Sequence, residues 1–233
     1  MIKTGVVLSG CGVQDGSEIY EAVLTILALE KAGAQVIALA PDVTQADVIN
    51  HYTGAETRME TRDVLAESAR IVRGKVQSIQ EVTATDLDAL ILVGGYGATK
   101  NLCTFANDGV RGKVNDELNR LIIEMHDLGK PIGSMCMASV VVAMALRGQK
   151  EAAQPVLTIG SDERVAASLE AMGVKHQNTR VDQVCVDASN RLVSTPAFMV
   201  GEGPAQVEPG ISKLVEQVLG MAREMSATYG GKQ

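Results

Sequence analysis

Short apolar runs of the β type alternate with helical stretches along this chain, and this alternation constrains its fold more than any other feature. Strands are predicted at 5–8, 35–40, 89–93, 132–135 and 156–159. Two later runs, 184–187 and 192–194, flank turn residues and are predicted to form a hairpin. Such an alternation builds a mainly parallel sheet with helices on both faces. The sequence therefore predicts an α/β three-layer sandwich, with residues 1–233 as a single domain.

The predicted helices are recognised by apolar residues at steps of three and four and by their capping residues. They are placed at 18–32, 63–71, 115–128, 137–147, 162–172 and 211–225. The rest of 46–82 has no clear pattern, and Glu202–Gly210 is predicted to be a Gly/Pro loop.

Composition excludes several classes of function. Hydrophobic residues make up 46% of the chain, which is too many for an intrinsically disordered protein. The net charge of −7 argues against a nucleic-acid partner, because such a surface needs clustered Lys and Arg. The longest apolar run, Val140–Leu146, is too short to cross a bilayer, so no membrane partner is expected. Nothing in the sequence directs the chain out of the cytoplasm, and a cytoplasmic location is expected.

One of the four cysteines lies where its surroundings could activate it. The cysteines are too far apart in sequence for a CxxC pair or a zinc cluster, so no metal is expected. The glycine motif at 94–97 lacks the GxGxxG spacing of a dinucleotide site, and no cofactor is expected. Cys136 follows a predicted strand directly and precedes a helix, with Ser134 and Ala138 two positions away on either side. This is the layout of a nucleophile elbow, and a helix N-terminus favours the thiolate. We therefore expect Cys136 to be the most acidic thiol, although a buried packing cysteine would give the same spacing.

Two further motifs are predicted at the same edge of the sheet, because ligands bind beyond the C-terminal ends of parallel strands. Glycines 94, 95 and 97 follow a strand; the N–H of Gly95 and the N–H after Cys136 could form an oxyanion hole, or the glycines could make an ordinary turn. Glu18 and Glu21 lie in the first turns of the helix after the first strand, where acidic residues also simply complement the helix dipole.

The histidines argue against a Cys-His-Glu triad. The three histidines are predicted to lie on the surface or in loops: His51, His126 and His176. A triad would need a histidine near the C-terminal edge of the sheet.

Several segments together carry a resemblance to a known family. They are LSGCGVQDGSEIYEAV, APD at 40–42, DVINH at 47–51, GGYGATKNL, GKPIGSMC, LTIGSD at 157–162 and STPAFM at 194–199. Nearly the whole chain resembles the ElbB proteins, described as glyoxalases or as enhancing lycopene biosynthesis. These proteins lie in the PfpI-type branch of the class I glutamine amidotransferase-like superfamily.

The resemblance implies a flavodoxin-like, class I amidotransferase-like fold and a set of site residues. The reactive cysteine of the family falls on Cys136, and its acidic partner falls on Glu21. The substrate-binding oxyanion donors fall on the backbone N–H groups of Gly95 and Met137. The implied activity is the conversion of a small dicarbonyl, glyoxal or methylglyoxal, to the 2-hydroxy acid. The reaction would use no metal or glutathione, and the protein would be a homodimer.

Departures from the superfamily pattern keep other functions open. Many members have a histidine where this chain has Met137, and ElbB relatives usually have proline where it has Ser139. Thr195–Ala197 replaces the His-x-Glu of the amidotransferases, which argues against glutamine hydrolysis. The alternatives are a deglycase or hydrolase that uses the same dyad, and a redox-sensing protein. In the latter, Cys136 would be oxidised to a sulfinic acid held by Glu21.

Overall fold

The computed structural model describes residues 1–149 and 153–230 of the chain. Its strands are β1 (Lys3–Val7), β2 (Gln35–Ala40), β3 (Ile49–Asn50), β4 (Ala55–Glu56), β5 (Val76–Ser78), β6 (Ala89–Leu92), β7 (Ile132–Met135), β8 (Val156–Leu157), β9 (Lys175–His176), β10 (Cys185–Asp187) and β11 (Leu192–Thr195). Its helices are α1 (Ile19–Lys31), α2 (Val64–Ile71), α3 (Tyr96–Lys100), α4 (Phe105–Asp108), α5 (Asp116–Asp127), α6 (Ala138–Leu146), α7 (Glu163–Ala171) and α8 (Pro204–Gly230).

A seven-stranded sheet in the order β10-β11-β7-β6-β1-β2-β5 forms the middle layer. Every neighbouring pair is parallel except the antiparallel hairpin β10–β11. Helix α8 packs on β6, β7 and β11 and against α1, while α5 packs on β6 and β7 beside α6. The predicted α/β three-layer sandwich with a mainly parallel sheet is confirmed.

The core explains why the central strands are so apolar. All four residues of β6 are buried, and so are all nine residues of α6. The predicted stripe on the last helix is also buried, from Ile211 to Ala222. Gly133 of β7 lets this helix approach, because a Cβ there would lie 2.9 Å from Leu214 and 3.1 Å from Val218.

Several elements differ from the sequence-based predictions. The predicted loop Glu202–Gly210 is wrong, because α8 begins at Pro204. Proline is favoured at the first helical position, and the burial of Val207 favours continuing the helix through Pro209. The predicted strand 156–159 pairs only over Val156–Leu157, with β9 and outside the main sheet. Strand β5 was not predicted, because it has three residues and none of them is fully buried.

The C-terminal ends of β1, β6, β7 and β11 lie side by side, since these strands are consecutive in the sheet and parallel. The segments that follow them are 8–18, 93–96, 136–137 and 196–199. They supply the groups of the site described next.

Candidate active site

Cys136 lies at the turn between β7 and α6, as the elbow pattern predicts. Its backbone has a positive φ of 52°, a conformation that costs free energy in a residue other than glycine and is typical of functional sites. The N–H of Cys136 donates to the carbonyl of Thr195 on the neighbouring strand at 3.1 Å, which fixes the turn. The residue is only 7% exposed, so its thiol can be reached only through the site.

Glu21 comes from α1 and contacts the thiol of Cys136 by a side-chain hydrogen bond. Its Oε2 accepts from the N–H of Gly94 at 2.9 Å, and its Oε1 accepts from the N–H of Phe198 at 3.3 Å. The carboxyl group is completely buried. Three segments distant in sequence therefore hold this side chain against the cysteine.

Burial changes the acidity of both groups. Burial, together with the charge of Glu18, raises the pKa of the Glu21 carboxyl from 4.5 to about 8. Burial and the charge of Glu21 raise the pKa of the Cys136 thiol well above its ordinary value, while the N–H groups of Met137 and Gly95 lower it. At neutral pH the pair therefore holds at least one proton between the sulfur and the carboxyl oxygens.

The expectation that Cys136 is the most acidic thiol is not supported. The N–H groups near the start of the helix act in the predicted direction, but burial and Glu21 outweigh them. Burial also raises the pKa of Cys103 and of Cys185 to about 11 and that of Cys11 above its ordinary value. No thiol is therefore acidic on its own, and a thiolate at Cys136 needs the proton of Glu21 beside it.

The backbone N–H groups of Gly95 and Met137 lie near the sulfur of Cys136, where they lower the pKa of the thiol. Gly94 has room for no side chain, since a Cβ would lie 2.5 Å from Oε2 of Glu21 and 2.6 Å from Cβ of Cys136. Gly95 has a φ of 100°, which glycine adopts readily. The structure thus brings together all four residues predicted for the site: Cys136, Glu21, Gly95 and Met137.

The loop after β1 is hydrogen-bonded to the glycine-rich turn that follows β6. Gly97 donates its N–H to the carbonyl of Gly16 at 3.0 Å, and Tyr96 donates to Val13 at 2.8 Å. Asn101 holds the other side of the loop through 2.8 Å bonds from its Nδ2 to the carbonyls of Ser9 and Asp15. These hydrogen bonds with the loop after β1 therefore fix the turn that contains Gly95.

Replacing Gly97 with Ala is expected to destabilise the protein, because the new Cβ would lie 2.6 Å from the backbone carbon of Gly16. Overpacking of this kind costs about 1–3 kcal/mol. The matched control is Gly220→Ala in α8, where a Cβ meets open space. That change should stabilise by about 0.5–1 kcal/mol through helix propensity. Denaturant unfolding of both variants measures the difference, and equal stabilities would contradict the tight loop contact.

A cavity of about 250 Å³ opens above Cys136. Its lining residues come from both sides of the sheet edge and are Val13, Glu18, Gly95, Tyr96, Cys136, Met137, Asp162, Arg164, Val165, Phe198 and Met199. Glu21 lies behind this wall and does not line the cavity. Glu18, by contrast, reaches it while its Oε2 caps α1 by accepting from the N–H of Glu21 at 2.6 Å.

Sequence reasoning missed several of these groups. The contributions of Asp162 and Phe198 depend on how distant segments pack, and no local pattern marks them. Spacing places Glu18 beside Glu21 in the first turns of the helix, but it does not predict a place in the cavity wall. Glu18 also caps α1, which is consistent with the alternative that an acidic residue at this position complements the helix dipole.

None of the residues that line the cavity is a histidine. His51 is about one-third exposed and accepts from the N–H of Gln14 at 3.2 Å, and His176 accepts from the N–H of Ile159 at 3.4 Å. His126 lies on α5. Across residues 1–149 and 153–230, no three His, Cys, Asp or Glu side chains form a group that could hold a metal ion. In the same part of the chain, no helix combines the length and apolarity needed to span a membrane.

Comparison with solved structures defines the class of the fold. The chain aligns with an isoprenoid biosynthesis protein with an amidotransferase-like domain from Ehrlichia chaffeensis at a TM-score of 0.87 and 31% identity, covering 95% of this chain and 99% of that one. It aligns with Drosophila melanogaster DJ-1beta at a TM-score of 0.54 and 17% identity, covering 98% of each chain. A ThiJ/PfpI domain protein from Brachyspira murdochii gives a TM-score of 0.56 at 14% identity, covering 95% and 96%. The fold is therefore that of the amidotransferase-like and DJ-1/PfpI proteins.

Sequence comparison gives the family. The chain is 42% identical over 226 residues to the human glutamine amidotransferase-like class 1 domain-containing protein 3, mitochondrial, covering 93% of this chain and 82% of the relative. It is 41% identical to the rat mitochondrial ES1 protein homolog over the same length, covering 93% and 83%. The chain belongs to this family of glutamine amidotransferase-like class 1 domain proteins, the ES1 homologues. No protein-family model matches it. The narrower resemblance to ElbB proteins stays a prediction.

Proposed function

We propose that the protein is a cofactor-independent glyoxalase that converts glyoxal, and methylglyoxal, to the 2-hydroxy acid. In the case of glyoxal the net reaction adds one water to the dialdehyde and gives glycolic acid. The reaction is an internal redox change, since one carbon is oxidised and its neighbour is reduced. It therefore needs a nucleophile, a proton carrier and a group that stabilises an oxyanion.

The observation that carries the proposal is the contact between Cys136, which lines the cavity, and Glu21 behind it, with two backbone N–H groups near the same sulfur. A nucleophile beside an acid with a pKa of about 8 suits proton transfer near neutral pH. The N–H groups of Gly95 and Met137 would stabilise negative charge on an oxygen bound near the sulfur. Removal of one such donor typically costs about 3–4 kcal/mol of transition-state stabilisation.

The first step would be the addition of the Cys136 sulfur to one aldehyde carbon. A carbon–sulfur bond forms, and the carbonyl electron pair moves to oxygen as an alkoxide. Gly95 and Met137 would donate to this oxygen, which then takes the proton held by Glu21. The product is a hemithioacetal, and Glu21 is left as a carboxylate.

The second step would move a hydrogen between the two carbons. The Glu21 carboxylate removes the proton from the carbon bound to sulfur, giving an enediolate, and returns it to the neighbouring carbon. The hydroxyl proton of the hemithioacetal passes to the oxygen of that neighbouring carbon, so that the first carbon becomes the thioester carbonyl and the second carries the hydroxyl group. The result is a glycolyl thioester on Cys136. Hydrolysis then releases glycolate and restores the thiol. Because the Glu21 carboxyl group is hydrogen-bonded to the sulfur, it also lies close to the carbon that bonds to that sulfur, which supports this role.

We expect wild-type protein incubated with glyoxal to form one glycolate per glyoxal over many turnovers. Product identification by chromatography and mass spectrometry tests this directly. Two other outcomes would replace the proposal. Stoichiometric oxidation of Cys136 without turnover would favour the redox-sensing function, and release of free amine from a glycated substrate would favour a deglycase. The same assay with methylglyoxal measures the substrate range.

The location and oligomeric state remain proposals as well. The cytoplasmic location expected from the sequence stays a prediction, and the human and rat relatives are mitochondrial by name. The homodimer implied by the resemblance also stays a prediction, and sedimentation of the full chain would measure it.

A further inference from the structure

The hydrolysis step needs a base that Glu21 is badly placed to supply. Water must attack the acyl carbon from the open side of the cavity, and a base must take its proton there. Glu21 is 0% exposed, and both of its carboxyl oxygens accept backbone N–H groups. It also lies behind the cavity wall. No histidine lines the cavity to take this role.

We infer that Glu18 is a second catalytic residue, the general base that activates water to hydrolyse the thioester on Cys136. This assignment rests on the proposed glyoxalase function and names the group for its final step. Glu18 lines the cavity together with Cys136 and Gly95, and it is 8% exposed. Its carboxylate therefore lies on the open side of the cavity, from which water enters, whereas Glu21 does not line the cavity.

The surroundings of Glu18 hold the carboxylate in position. Its Oε2 accepts from the N–H of Glu21 at 2.6 Å, and the N–H of Tyr20 also donates to the carboxylate. Its own N–H donates to the carbonyl of Gly94 at 3.0 Å, which ties it to the turn that presents Gly95. An ionised carboxylate has about four lone-pair sites, so two backbone donors leave sites for water. Burial raises its pKa above the ordinary value, toward the range of an effective base.

The other polar residues in the cavity wall are poorer candidates. The guanidinium of Arg164 offers only hydrogen-bond donors and cannot act as a base. Tyr96 offers a phenol hydroxyl, which is a weaker base than a carboxylate. Asp162 is a carboxylate in the same wall, on the side of α7, where its Oδ1 caps the helix by accepting from Val165 at 2.9 Å. Asp162 is therefore the alternative that the experiment must separate from Glu18.

The step balances without any further reactant. The carboxylate of Glu18 takes one proton from water as the water oxygen bonds to the acyl carbon. The carbonyl electron pair moves to oxygen, where Gly95 and Met137 donate to it. The tetrahedral intermediate then expels the sulfur of Cys136 as the carbon–sulfur bond breaks. Glycolic acid leaves, and the proton on Glu18 returns to the sulfur or to solvent.

Glu18→Asn and Glu18→Asp form a matched pair for the test. Asn and Asp are both good N-cap residues, so both variants keep the start of α1, but only Asp keeps an acid–base group. Asp162→Asn tests the competing carboxylate in the same way. Glu30→Gln is the control, because Glu30 is an exposed residue on the same helix and does not line the cavity.

Each protein is mixed with glyoxal, quenched in acid, and analysed by intact mass with and without hydroxylamine. Acid returns a hemithioacetal to free thiol, while a thioester survives and is cleaved by hydroxylamine to glycolohydroxamate. We expect Glu18→Asn to lose roughly 10²–10⁴-fold in turnover and to accumulate a hydroxylamine-sensitive adduct on Cys136. Glu18→Asp should accumulate less, and Glu30→Gln should behave as wild type.

The outcomes separate this inference from the proposal on which it rests. Absence of turnover in the wild-type protein would overturn both. Normal turnover by wild type together with normal turnover by Glu18→Asn would overturn only the role of Glu18. The role would also be wrong if Asp162→Asn, and not Glu18→Asn, accumulated the thioester. A slow Glu18→Asn variant without any thioester would assign Glu18 to an earlier step and contradict the inference.

Discussion

Replacing Cys136 with Ser is expected to abolish turnover of glyoxal. The hydroxyl of serine is far less acidic than a thiol and is a weaker nucleophile, so the addition to the aldehyde in the first step is lost. Loss of the nucleophile in hydrolases with a catalytic triad lowers kcat by about 10⁶-fold. We expect a loss of at least roughly 10⁴-fold here.

The Cys136→Ser variant should fold, so a loss of turnover can be attributed to the missing thiol. Serine differs from cysteine by one atom, and the strained φ of 52° is imposed by the turn between β7 and α6 in either case. Circular dichroism and thermal unfolding check this. Product formation is followed by mass spectrometry over a time long enough to detect a slow reaction.

Cys11→Ser is the matched control for Cys136→Ser. Cys11 also follows a strand at the same edge of the sheet, and it is the one free cysteine that is not fully buried. It does not line the cavity, so its replacement should leave turnover close to that of wild type. If Cys11→Ser loses activity and Cys136→Ser keeps it, the nucleophile has been assigned to the wrong loop.

The fold follows from the sequence where strands have sharp boundaries. Strands Gln35–Ala40 and Ile132–Met135 are observed with the predicted limits, because Pro41 and Pro131 bound them. Strand β5 has neither feature, and its pairing with β2 alone makes it an edge strand. The local sequence pattern does not predict this strand, because its formation depends on pairing with the neighbouring strand and not on the segment's own residues.

Part of the candidate site could also be predicted from the sequence. The spacing around Cys136 indicates a tight turn, and the resemblance to known proteins indicates Glu21 as its partner. The acidity of the thiol could not be predicted, because it depends on burial and on contact with a carboxyl group from another helix. The bond from Phe198 to Glu21 joins residues 177 positions apart, and such contacts leave no local signal.

Replacing Glu21 with Gln is expected to reduce turnover by about 10²–10⁴-fold while Cys136 still traps the aldehyde. Gln can donate a hydrogen bond to the sulfur, so addition to the carbonyl remains possible. It cannot accept a proton from carbon and return it, so the hemithioacetal cannot become a thioester. Glu21→Asp keeps the acid but shortens its reach, and it should retain a small fraction of activity. A Glu21→Gln enzyme within about threefold of wild type would assign the proton carrier to another residue.

The same substitution has a second, independent effect on stability. The pKa of Glu21 rises from 4.5 in its ordinary environment to about 8 in the folded protein. The folded state therefore binds a proton that the unfolded state has already lost between these two pH values. The resulting stabilisation is fully present below pH 4.5 and is lost as the pH rises through 8. Over that range the change is on the order of 4 kcal/mol.

Gln at position 21 has no such proton, so the free energy of unfolding of Glu21→Gln should vary less with pH between 4.5 and 8 than that of wild type. The amide cannot accept both backbone N–H groups that Glu21 accepts, from Gly94 and Phe198, so the variant should start less stable at low pH by about 1–3 kcal/mol. The two stability curves should therefore converge or cross as the pH rises. Denaturant unfolding at several pH values measures both curves. Parallel curves would show that Glu21 is ionised in the folded protein at neutral pH, and the proton shared with Cys136 would then have to reside on the sulfur.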